Sequence, residues 1–281
     1  RMVRGRDTRP RCLYSVAQYE NIGELMMNEF SLAFTIVTLV VPAVLIFVCQ
    51  NSPVSTWIKS SLALPPFMLP AVFLVFSLNL AFVAGDVWGT YDKARAAVAS
   101  EGDNLRNVAR TAIGIKAPIG KELLLALKRY EEYTVTSGWK ELAVSSGGYG
   151  EGGSTSNLAR IVSSEEMSEA VKPLLQGQLV SQINTLRSAR NQRFALSASG
   201  LHPAKWLFTC FLCLISVLAV SLATMDKKSH QIVSSVFFFV VSTPTIVLLH
   251  MHANPFGGLF PISPQPIQIA LDHLTVALGG R

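Results

Sequence analysis

Four long apolar runs without a charge, at residues 30–49, 60–85, 206–225 and 232–249, decide what this chain can fold into. About twenty residues wound as an α-helix rise roughly 30 Å, the thickness of a bilayer's hydrocarbon core. Inside that core every backbone N–H and C=O needs a partner within the chain, which a helix supplies and an open loop does not. The runs therefore predict an all-α integral membrane protein with four transmembrane helices in two pairs, at 30–85 and 205–251. Charged residues make up only 15% of the chain, where a soluble domain carries about a quarter.

The pairs are separated by a polar insert at 86–204. Between Asp86 and Pro203 lie fourteen Lys or Arg and twelve Asp or Glu. Val87, Tyr91, Ala94, Val98, Leu105 and Val108 keep a helical spacing, so 86–113 continues the second span out of the membrane until Gly114 and Pro118 end it. A second amphipathic helix is expected over 119–136, with Leu123, Leu127 and Tyr130 on its stripe. The Gly/Ser-rich segment 145–156 reads as a flexible loop. Ser163 and Glu166 fit a capping box for a polar helix, and Pro173 interrupts or restarts it. A further helix over 174–199 presents Leu175, Leu179, Ile183 and Leu186, and Gly200 and Pro203 stop it. The tail, 252–281, is expected to turn sharply and close with a short amphipathic helix.

Residues 1–29 are Arg-rich, with Arg1, Arg4, Arg6, Arg9 and Arg11. They fit a targeting segment, a disordered tail, or an over-extended reading frame with a start at Met26 or Met27. The short loops between paired spans hold only Lys59 in one and Lys227 and Lys228 in the other. The positive-inside bias then places the N-terminus, insert and C-terminus in the cytoplasm of a multi-pass protein of the cell (inner) membrane.

Several function classes drop out. The net charge of +6 fits cytoplasmic loops beside anionic lipid, and no basic-aromatic interleaving points to nucleic acid. Cys12, Cys49, Cys210 and Cys213 give no disulfide framework, and the C-x-x-C pair lies inside an apolar run, where packing is its natural role. His250 and His252 point to different sides of a helix, so with His273 they make no metal site. There is no phosphate-binding Gly loop, H-E-x-x-H or nucleophile elbow, so neither an enzyme nor a cofactor is expected.

Three places invite a functional reading. Asn79 is the strongly polar residue of the second span. With Phe76 and Val83 it defines a stripe that either lines a pore, or packs within the bundle with Asn79 bonded to a neighbouring helix. Arg187, Arg190, Arg193 and Lys205 form a basic cluster near the membrane, read either as an anion vestibule or as lipid-headgroup contact. Pro255, Phe256, Gly257 and Gly258 form a structural turn, with Phe256 expected to anchor it against the insert.

Read in order, Val87-Trp88-Gly89-Thr90-Tyr91-Asp92-Lys93-Ala94-Arg95, Glu101, Leu127-Lys128-Arg129-Tyr130, Trp139, the stretch 186–193, His202-Pro203-Ala204-Lys205-Trp206, Asn254-Pro255-Phe256-Gly257-Gly258 and Ile262-Ser263-Pro264 resemble the bestrophin-like domain family found widely in bacteria. The resemblance covers roughly 30–278. It implies the layout of bestrophin anion channels: two spans, helical insert, two spans, assembled as a homo-oligomer, a pentamer, around a central pore for small inorganic anions. The alternative it leaves is a non-conducting scaffold whose insert binds a partner. The chain departs from the family pattern at Ala253 and Asn254, where Asp-Arg is usual, and at Gly138, where Glu is usual. Any ion-pair role at those places is lost.

Overall fold

A computed structural model describes residues 44, 47, 64–116, 118–144, 155–198, 202–257 and 260–279. The first apolar run lies outside the described residues apart from Val44 and Phe47, both helical. Residues 1–29, most of the 145–156 loop and Gly258 also lie outside them. Every regular element among the described residues is a helix. Three helices there are long and apolar enough to cross a membrane: Leu69–Ile113, Pro203–Ala223 and Lys228–His252.

A short 3-10 turn, Pro66–Met68, leads into α1, Leu69–Ile113, a single helix of 45 residues. The helix thus runs unbroken from the second apolar run into the polar stretch after Asp86. Its prolines sit in the turns that start it, where backbone N–H groups have no helical partner to lose. Next come α2 (Pro118–Tyr133), a π-helical turn (Thr134–Gly138) and α3 (Trp139–Val144). Helical backbone therefore runs past position 136, where the sequence pattern places an end. The hydroxyls of Thr134 and Thr136 bond back to the carbonyls of Tyr130 and Glu132 at 2.8 and 2.7 Å.

Then follow α4 (Ser156–Val162) and α5 (Glu165–Ala170). The α5 cap is Ser164, not Ser163: Ser164 has extended backbone and accepts from the Met167 N–H, while Ser163 closes α4. The remaining helices are α6 (Pro173–Ala198), α7 (Pro203–Ala223), α8 (Lys228–His252, with Pro244 inside) and α9 (Gln265–Gly279).

The chain divides into two compact units, one of residues 1–80 and 204–246, the other of 81–203 and 247–281. In the first, Phe73 and Phe76 of α1 meet the ring of Phe238 on α8. In the second, α2 packs against α4, α5 and α9. Its core gathers Val98, Leu105, Leu123, Leu127, Leu158, Leu186, Ile267 and Leu274, all at most 1% exposed. Burying each such side chain contributes about 1.5–3 kcal/mol. Close approach is needed where α9 begins: a Cβ on Gly102 would lie 2.6 Å from the Pro266 carbonyl oxygen.

Candidate functional site

In the first unit the polar question is Asn79. Its amide nitrogen donates to Thr209 Oγ1 on α7 at 3.0 Å, and that hydroxyl in turn donates to the Lys205 carbonyl at 2.8 Å. An amide in an apolar span is costly until it is bonded, and Thr209 answers it within the chain. Phe76 is 6% exposed and Val83 3%. The amide thus makes an interhelical bond, Asn79 itself is half-buried, and Phe76 and Val83 pack inside the chain. The free face of α1 is the neighbouring one, where Leu74, Leu78 and Phe82 are all exposed.

In the second unit three helices bring charged and polar groups into the core. Arg193 of α6 donates from Nε to Glu101 Oε2 at 2.6 Å and from Nη2 to Glu101 Oε1 at 3.1 Å. Tyr130 of α2 donates its hydroxyl to the same Oε1 at 2.5 Å. The guanidinium also lies over Trp139 and Phe194, 5.3 and 5.0 Å from the ring centroids. Trp139 donates its indole N–H to the Ile262 carbonyl at 3.1 Å and meets the Phe256 ring edge-on at 5.6 Å. One polar knot thereby ties α1, α2, α3, α6 and the tail. Burial alone would lower the Arg193 pKa, but the Glu101 carboxylate outweighs it and the net shift is upward. Burial, then the Glu101 charge, pushes the Tyr130 hydroxyl well above its usual range. The knot is a buried ion pair that fastens helices.

The basic cluster is not gathered on one surface. Positions 186, 189, 190, 193 and 197 share one buried face of α6, because steps of three and four return to the same side of a helix. Arg190 and Arg193 lie on that face. Arg190 is 7% exposed and packs its guanidinium over Phe194. Arg187 falls off the face and is exposed; Lys205 is exposed too, and belongs to the other unit.

The turn before α9 is held from inside. Phe256 is 2% exposed. The Asn254 side-chain oxygen accepts from the N–H groups of Phe256 and Gly257 at 3.2 and 3.0 Å. Asn254 thus serves as a turn-forming residue. Pro255 and Gly257 sit in the same turn. His252 stacks on Phe260 and bonds the Leu248 carbonyl. Among the described residues no three His, Cys, Asp or Glu side chains converge as metal ligands.

Glu101, Tyr130 and Trp139 stand out in the sequence only as members of motifs, without their pairing. The available signal was a glutamate, a tyrosine and an arginine each sitting on the apolar stripe of its own helix.

A family model for the bestrophin-like domain matches residues 36–267. Two solved structures of a bacterial bestrophin homologue from Klebsiella pneumoniae are similar in fold. One carries a tyrosine-to-alanine mutation. It is 11% identical with a TM-score of 0.69, over 87% of this chain and 98% of that one. The other carries a leucine-to-threonine mutation. It is 9% identical with a TM-score of 0.65, over 90% and 99%. No curated protein matches the chain in sequence.

Proposed function

Because the chain belongs to the bestrophin-like domain family, we propose that it forms a homo-oligomeric, pentameric anion channel. Its insert and both termini lie on the cytoplasmic side of the inner membrane. The observation that carries this reading is the family match over 36–267, joined to a fold likeness that takes in nearly the whole of the solved bestrophin homologue chains.

The pore wall in this reading is the free face of α1. Leu74, Leu78 and Phe82 recur every four residues, all exposed and apolar. Repeated around a ring, such a stripe makes a constriction that conducts when wetted and closes when dry. Asn79, Phe76 and Val83 then hold the wall from behind. Arg187 and Lys205, exposed cations outside the apolar runs, raise the local anion concentration.

The test is anion flux into liposomes reconstituted with the full chain. The wild type should pass chloride. Phe82→Ala and Leu78→Ala should change its rate at least several-fold, and Asn79→Leu should lower thermal stability more than it alters selectivity. No flux from a well-folded oligomer overturns the channel and leaves the membrane-anchored scaffold.

A further inference from the structure

Glu131 is the anomaly of the second unit. It is 0% exposed, and neither of its carboxylate oxygens has a hydrogen-bond partner among the described residues. It shares a face of α2 with buried Leu124, Leu127 and Thr134. On its own helix, Lys128 is committed to Glu132 at 3.6 Å. Glu101 and Arg193 are bound to each other. On α4, α5 and α9, which pack against α2, the titratable groups are Arg160, Glu165, Glu166, Glu169, Asp272 and His273, all exposed. On α6 the buried Arg190 acts on Tyr130 and Tyr133, and none of these groups bonds to Glu131.

We propose that Glu131 is a proton-operated latch. As a neutral acid it keeps the C-terminal end of α2 seated in the core, and its ionisation in alkaline solution drives that end, with the π turn behind it, out of the core.

An unpaired carboxylate inside an apolar core is far costlier than the neutral acid. Burial, and then the nearby Glu132 charge, hold the Glu131 carboxyl up at about 8. The sign follows from linkage. A raised native pKa favours the seated state most at low pH. That advantage is lost progressively as pH rises from the ordinary carboxylate range through about 8. The element that would move is marked as well. The helix widens at once into the π turn Thr134–Gly138, a local distortion often found where helices do something other than pack. The adjacent knot does not compete for the transition, since both Arg193 and Tyr130 are shifted upward. The inference does not depend on ion conduction.

The experiment is hydrogen–deuterium exchange on the full chain in detergent or nanodiscs, from about pH 6 to 10, corrected for intrinsic exchange. Wild-type peptides covering 127–139 should lose protection roughly tenfold per pH unit as pH rises toward the midpoint of Glu131 ionisation in the seated state near 8, and should level off above it. Glu132→Gln, at an exposed position, should move that midpoint downward. Glu131→Gln should remove the transition while 173–198 stays protected in both. A pH-independent wild type overturns the latch, and so does a Glu131→Gln variant that keeps the same midpoint. If Glu131→Gln fails to fold, the wild-type titration and the Glu132→Gln shift still decide.

Discussion

Arg193 is 1% exposed, so its guanidinium has lost its water and must be repaid by other partners. Glu101 supplies two bonds and the rings of Trp139 and Phe194 supply the faces. Removing one member of such a pair leaves a bare buried charge, which costs about 3–5 kcal/mol. Arg193→Met should therefore lower stability by about that much in thermal or denaturant unfolding of the detergent-solubilised protein. The double variant Glu101→Gln with Arg193→Met should recover part of the loss. A double variant no more stable than the single would show that the pair is not the unit of the effect. Tyr130→Phe removes one bond to a charged acceptor and should cost about 1.5–3 kcal/mol in the same assay. These residues were visible in the sequence as motif members. The pairing was not, because Glu101 and Arg193 are 92 positions apart and nothing local says which helix faces meet.

At the scale of elements, local signals did well where local physics rules. The stripe from Val87 to Val108 announced that α1 continues as one helix past the apolar run, and it does. The starts of α2 at Pro118 and of α7 at Pro203 were also readable, since proline removes an N–H and fixes φ wherever it stands. The sequence misplaced two things. The α5 cap is one residue later than the pattern suggests, because two serines in a row both satisfy the chemistry and only backbone geometry chooses Ser164. The π turn carries no sequence signature, since it arises from an extra residue accommodated between α2 and α3.

The seat of α9 was equally hidden. Gly102 is the point where it comes closest to α1, and a methyl there would meet the Pro266 carbonyl, which is backbone and cannot yield cheaply. Gly102→Ala should loosen the tail helix. Limited proteolysis should then cleave within 260–279 faster than in the wild type, and an unchanged cleavage rate would refute the close contact.

For the whole molecule, the open question is which exposed apolar faces meet lipid and which meet water or another subunit. Phe82 on α1 and Phe237 on α8 are 67% and 71% exposed, so neither is buried among the described residues. Their chemistry is the same and their surroundings in the channel reading differ. A cation facing hydrocarbon at the middle of a span costs about 2.5–3.5 kcal/mol on insertion scales. A cation facing a water-filled path is hydrated and avoids most of that cost. Phe237→Lys should therefore reduce the yield of membrane-inserted, folded protein sharply. Phe82→Lys should insert at close to wild-type yield and, by placing a positive ring in the constriction, raise chloride flux relative to sodium. Membrane-fraction yield and liposome flux measured on the two variants side by side check both halves. If Phe82→Lys is lost from the membrane as completely as Phe237→Lys, the free face of α1 is a lipid face, and the pore must be sought elsewhere in the assembly.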